Sequence, residues 1–143
     1  MSREPRAVRS QFRVWRTFST RWADNDAYGH VNNTVFYQWF DSAVNAWLVE
    51  QRLLDIERGD PIALVVETRC SYHAPLAFPE PVDVGLAVAE LGRSSVRYRI
   101  GVFAADSDVA AAQGEFVHVL VDREHRRAVE LPPNWRHALE AIS

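Results

Sequence analysis

The segment from Arg21 to Asn33 reads RWADNDAYGHVNN and concentrates two carboxylates, a glycine–histidine pair and the asparagines Asn32 and Asn33 in one polar stretch. An apolar helical pattern follows at once over residues 34–54. Such a loop delivers acids and amide donors to the start of a helix, where unpaired N–H groups and the helix dipole favour developing negative charge. A carboxylate facing an oxyanion site is the arrangement that acyl transfer requires. Asp24 and Asp26 have a plainer use as turn formers and caps. Gly29 permits an unusual backbone conformation, and Asn32 and Asn33 fall at the expected helix start, which gives the acids a chemical setting. His30 is either a structural hydrogen-bonding histidine or a residue that positions substrate.

Other chemistries have less to stand on. His73, His118, His125 and His137 share no compact ligand spacing with His30, so no metal site is expected. There is no G-x-S-x-G motif, and Cys70 lies inside a strand pattern, which leaves no activated nucleophile of the serine or cysteine type. One cysteine excludes an intrachain disulfide and fits a reducing compartment, so a cytoplasmic protein is expected. A formal net charge of −3 argues against a general nucleic-acid surface. No apolar run approaches the roughly 18 residues of a membrane span, and residues 1–11 lack the apolar core of a leader.

The elements that must hold the loop can be read from periodicity. The 143 residues, 48% of them hydrophobic, suit one domain over 11–143 preceded by a loose terminus over 1–10. Residues 12–20 read as a first strand, with Phe12, Val14 and Phe18 on one parity. In the helix, Phe36, Phe40, Ala43, Val44 and Trp47 recur every three or four residues and belong on a buried face. Trp39 lies alongside, and the helix aromatics read as core or as the wall of an acyl tunnel.

Four alternating segments follow. The first puts Ile62, Leu64, Val66, Thr68, Cys70 and Tyr72 on one parity, and the second Val82, Val84, Leu86 and Val88. The third sets Val96, Tyr98, Ile100 and Val102 against Arg97, Arg99 and Phe103, and the fourth spans 109–121. A short helix over 134–142, capped by Asn134, ends the chain. The expected class is α+β, a five-stranded antiparallel sheet wrapped around one long central helix. Its open sheet edge predicts at least a dimer.

The order R-W-x-D-x-D-x-x-G-H-V-N-N, followed by Tyr37 and Asp41, resembles the 4-hydroxybenzoyl-CoA thioesterase family of hotdog-fold acyl-CoA thioesterases. The segments from Val66 to Leu76 and from Leu91 to Ser95 are similar to the family's second strand with its aromatic-x-x-Pro turn and to its G-[RK]-S-S motif. The resemblance implies hydrolysis of a fatty or aryl acyl-CoA without a cofactor. Asp26 would be nucleophile or general base, and the Asn33 backbone N–H at the helix start would be the oxyanion donor. His30, Asn32, Arg93, Ser94 and Ser95 would contact substrate, the last three through coenzyme A phosphates. Glu67, beside Arg69 on one strand parity, reads either as a further substrate contact facing the cleft or a partner strand, or as a paired sheet residue. Active sites would lie at the subunit interface of a homodimer or a homotetramer built as a dimer of dimers. Two other classes compete: a hydratase or dehydratase on the same fold, and a non-catalytic protein that binds acyl thioesters.

Overall fold

The computed structural model describes residues 4–143. Strand β1 (Val14–Phe18) is followed by the long helix α1 (Asn33–Glu50). Then come β2 (Ile62–Tyr72), β3 (Val82–Leu91), β4 (Ser95–Ala104), β5 (Ala112–Val121) and the short helix α2 (Pro133–Glu140). All five strands form one antiparallel sheet in the order β1-β3-β4-β5-β2. Since β1 and β2 are the two edges, the segment joining them must cross the whole sheet, and α1 makes that crossing. This is the expected sheet around a central helix.

Alternation decides which faces meet. Val82, Val84, Leu86 and Val88 from β3 and Val96, Tyr98, Ile100 and Val102 from β4 all reach the core on the helix side. Against them α1 buries Val35, Phe36, Trp39, Phe40, Ala43, Val44, Trp47 and Leu48. Side chains such as Phe40 and Leu48 are fully enclosed, and each is worth roughly 1.5–3 kcal/mol relative to an exposed position. Trp135 and Leu139 of α2 close the same core. The helix aromatics are therefore core residues.

Several expectations are corrected. In β2 the pairing shifts between Val65 and Glu67, with Val65 opposite His118 and Glu67 opposite Val117. Val66 is a bulge, and the side-chain parity flips there, so Ala63 and Cys70 are the β2 residues that reach the core. Most of β2 between them is exposed, as befits an edge. Helix α1 ends at Glu50 rather than near residue 54, because Arg52 turns left-handed at φ 59° and the Leu53 N–H folds back to Leu48 O. Strand β5 begins at Ala112, and α2 begins with Pro133 in its first turn, leaving Asn134 inside the helix rather than capping it.

The N-terminal segment also differs from the loose tail expected. Residues 4–12 lie on the outer sheet face, where Arg6 Nε donates to Ala110 O at 2.9 Å and the Ala7 N–H to Gln113 Oε1 at 2.6 Å. Arg9 spans from the Ala104 and Ser107 carbonyls to Asp83 and stacks over Trp15 and Phe103. A bend at Arg13 separates Phe12 from the β1 parity. Its ring seats over Gly85 and Gly101, where an added Cβ would come within 2.8 and 2.6 Å of it. The basic composition that suggested a free terminus is used to satisfy carbonyls at strand ends. Residues 1–3 lie outside the described residues.

Candidate active site

The two acids of the loop have different surroundings. Asp24 ends a short 3-10 turn and is 2% exposed. Its Oδ2 accepts the Arg21 backbone N–H at 2.8 Å, and Oδ1 accepts Arg21 Nε and Nη2 at 3.0 and 2.8 Å. That carboxylate is committed to shaping the chain. Asp26 is half-buried, and only its Oδ1 accepts a hydrogen bond among the described residues, from the Tyr28 N–H at 2.9 Å. Its other oxygen is available.

Local backbone bonds aim Asp26. The Asp26 N–H donates to His30 O and the Gly29 N–H to Asp26 O, closing a turn in which Gly29 takes φ 81°. The loop is pinned to the connection after β2 by Val31 N–H to Leu76 O at 2.7 Å and by Phe78 N–H to Asn25 Oδ1 at 3.1 Å. Asp26, Val31, Asn33, Phe36, Tyr72 and His73 consequently share one cleft of ≈ 370 Å³. The carboxylate and the helix start proposed to act together are brought together.

Asn32 is the N-cap of α1. Its side-chain Oδ1 accepts the Thr34 N–H at 2.9 Å and the Thr34 hydroxyl at 2.7 Å. Asn33 is the first helical residue, and its N–H has no acceptor among the described residues. This donor is one of those a helix start leaves over. The His30 side chain is exposed, and its carbonyl serves the loop.

The other sequence candidates lie elsewhere in the chain. Glu67 is on the outer face of the sheet edge, where Arg97 reaches it at 3.5 Å. Arg97 also bonds Glu115 at 3.1 Å, and Arg69 bonds the other oxygen of Glu115. Partial burial would push the Glu115 carboxyl up, but these two arginines outweigh it and hold it below the ordinary carboxylate range. Ser95 pairs with Val119, whereas Tyr72 at the cleft pairs with Ala112 opposite Val102. From Ser95 to Val102 is seven steps along β4, or about 23 Å at ~3.3 Å per residue. Arg93, Ser94 and Ser95 are therefore at the far end of the sheet from Asp26 of the same chain.

Two residues that sequence reasoning did not single out line the cleft, Tyr72 and His73. The Tyr72 hydroxyl donates to Asn33 O at 2.9 Å, and the aromatic-x-x-Pro pattern was the available signal for it. Cys70, nearby on β2, is no nucleophile: burial pushes its thiol up to about 11. His118 is enclosed between Tyr98 and Phe116, and burial pushes its imidazole down to about 4. It lies in the core, away from the cleft lining. Among the described residues no group of three or more His, Cys, Asp or Glu is arranged to hold a metal ion. No helix among them is long and apolar enough to cross a membrane.

The sequence profile of the thioesterase-like superfamily matches residues 20–139, from just after β1 into α2. The chain belongs to that superfamily. This thioester hydrolase is similar in structure to the PA5185 protein from Pseudomonas aeruginosa, with 48% identity, a TM-score of 0.94 and 97% of each chain covered. It shares its fold with Slr0204, a 1,4-dihydroxy-2-naphthoyl-CoA thioesterase from Synechocystis (22% identity, TM-score 0.80, 90% of this chain and 96% of that one). The same holds for a DHNA-CoA thioesterase from Staphylococcus aureus (20% identity, TM-score 0.79, 90% and 89%). No curated protein matches the chain. The hotdog thioesterase fold implied by the loop motif is the fold that forms.

Proposed function

We propose that this hydrolase cleaves a fatty or aryl acyl-CoA to the free acid and coenzyme A, with Asp26 as nucleophile or general base. The observation that carries the reading is the shared cleft of Asp26 and the Asn33 N–H, one with a spare carboxylate oxygen and the other with a spare proton. In the nucleophilic route Asp26 Oδ2 attacks the thioester carbon and the coenzyme A thiolate leaves, giving a mixed anhydride that water then hydrolyses. In the general-base route Asp26 takes a proton from water as that water attacks. Both place negative charge on the former carbonyl oxygen, which the Asn33 N–H and the dipole of α1 would stabilise. His30 and Asn32 would flank the substrate at the mouth of the cleft.

The placement of Arg93, Ser94 and Ser95 favours a site completed by a second copy. The exposed run of β2 includes Val65 and Val66, 46% and 60% exposed, on an edge with unpaired backbone groups. Antiparallel pairing of two β2 edges about their centres would set the Leu64 end of one copy beside Tyr72 of the other. The partner's Arg93, Ser94 and Ser95 would then approach the Asp26 cleft, suited to coenzyme A phosphates, and Glu67 would lie at the junction. We therefore propose a homodimer, or a dimer of dimers, working in the cytoplasm. Free-thiol release over a panel of aliphatic and aromatic acyl-CoAs tests the activity, with Asp26→Asn as the comparison. Turnover that survives this substitution unchanged would remove Asp26 from the mechanism.

A further inference from the structure

The Asn33 N–H can stabilise an oxyanion only if its direction is fixed before the substrate arrives, and first helical turns tend to fray. Its own peptide and those on either side are held. In the preceding peptide the Asn32 N–H donates to Asp24 O at 2.8 Å, and in its own the Asn32 O accepts the Val35 N–H at 3.0 Å. In the following peptide, the Thr34 N–H donates to Asn32 Oδ1 at 2.9 Å, while the carbonyl of Asn33 accepts the Tyr72 hydroxyl at 2.9 Å. The Tyr72 bond is the one hydrogen bond from the sheet to this turn among the described residues.

Tyr72 is itself well anchored. Its backbone pairs with Ala112 at the end of β2, and the next two amides, those of His73 and Ala74, both donate to Ala111 O at 2.8 and 3.0 Å. Its ring meets Phe36 edge-on, with centroids 5.1 Å apart and planes at 86°. Phe36 is buried and stands one turn after Asn33 on the same helix face. The sheet thus grips the first turn of α1 at a backbone oxygen and at a side chain.

We propose that Tyr72 is a positioning residue of the oxyanion site, clamping the first turn of α1 to the end of β2 so that the Asn33 N–H faces the cleft in a fixed direction. The inference rests on the reading of Asn33 as oxyanion donor. Burial raises the phenol above its ordinary value, so it stays a donor throughout the working pH range. The interaction with the oxyanion exists only in the transition state, so loosening its donor acts on kcat rather than on KM.

Tyr72→Phe keeps the ring against Phe36 and removes the hydroxyl. It is expected to lower kcat roughly 3- to 10-fold, the effect of one hydrogen bond, with KM within about twofold of wild type. The pH profile should keep its shape, since the phenol transfers no proton. An unchanged kcat, a loss that appears in KM, or a missing limb of the pH profile would each overturn the proposal. Amide hydrogen exchange over residues 33–36 reads the clamp independently of turnover. Faster exchange in Tyr72→Phe supports the clamp and unchanged exchange refutes it, whereas a wild type that releases no thiol overturns the hydrolysis reading itself, Asp26 and Asn33 together, a failure distinct from unchanged exchange.

Discussion

Neutralising each acid of the D-x-D in turn should give opposite phenotypes. Asp24→Asn replaces a carboxylate whose two oxygens accept three hydrogen bonds from Arg21. An amide offers only one oxygen, so its NH₂ must face either the Arg21 N–H or the guanidinium, donor against donor. Bonds to a charged acceptor contribute about 1.5–3 kcal/mol each where water is excluded. The Arg21 side chain is 67% exposed, which discounts its guanidinium contribution heavily. The loss of the backbone bond in the buried position dominates, and we expect a cost of about 2 kcal/mol. For a domain of this size that lowers Tm by roughly 4–8 °C.

Asp26→Asn should do the reverse. Its amide oxygen can still accept the Tyr28 N–H, so stability should move by no more than about 0.5 kcal/mol. Turnover should fall about 10²- to 10⁴-fold, the usual contribution of a positioned base or nucleophile. Thermal melts and thiol release on the same preparations separate the two effects. An Asp24→Asn enzyme that melts like wild type but has lost turnover, beside an active Asp26→Asn enzyme, would refute the assignment of roles.

Three further outcomes are expected. Phe12→Ala should cost about 3–5 kcal/mol in chemical denaturation, because it empties the space over Gly85 and Gly101 that the ring fills. Acidification should destabilise the fold through His118: the unfolded chain takes up a proton near 6.5 and the folded imidazole resists until about 4, so stability falls as pH drops through that window. Melts should show about 2 kcal/mol less stability from this group at pH 5 than at pH 7, and His118→Leu should abolish that part of the slope. Lysine at both Val65 and Val66 should break the proposed edge pairing, giving a monomer in sedimentation and, since the proposed site draws on both copies, loss of thiol release.

Periodicity gave reliable facing where strands are flanked on both sides. Val82 to Val88 and Val96 to Val102 alternate without interruption because β3 and β4 are central strands whose inner face must be apolar. The β2 edge is free of that constraint. Its alternation appeared continuous in the sequence, yet Val66 bulges and reverses the facing of everything after it, and no residue type marks the position. The seat of Phe12 was hidden for a related reason: it depends on Gly85 and Gly101 lying side by side on adjacent strands, which only the β3–β4 register specifies. Within the candidate site, the adjacency of loop and helix start put acids and amides together in the sequence, and the family resemblance singled out Asp26 and Asn33 among them. Tyr72, some forty residues downstream, could be joined to them only by the chain crossing the sheet.

That crossing also bears on why the proposed site would draw on a second copy. Helix α1 starts beside the end of β2, so the acid and the amide converge at one end of an edge strand. The arginine–serine segment before β4 is fixed at the opposite end by the Ser95–Val119 pairing. Antiparallel strands cannot bring these ends together within one sheet without abandoning the register. The proposed two-fold axis through the exposed middle of β2 would bring them together with both sheets intact, and it would cover Val65 and Val66 in the same step. In the proposed dimer, edge protection and completion of the site would be met by a single contact, so a substitution that frees the edge should remove the proposed phosphate contacts along with the dimer.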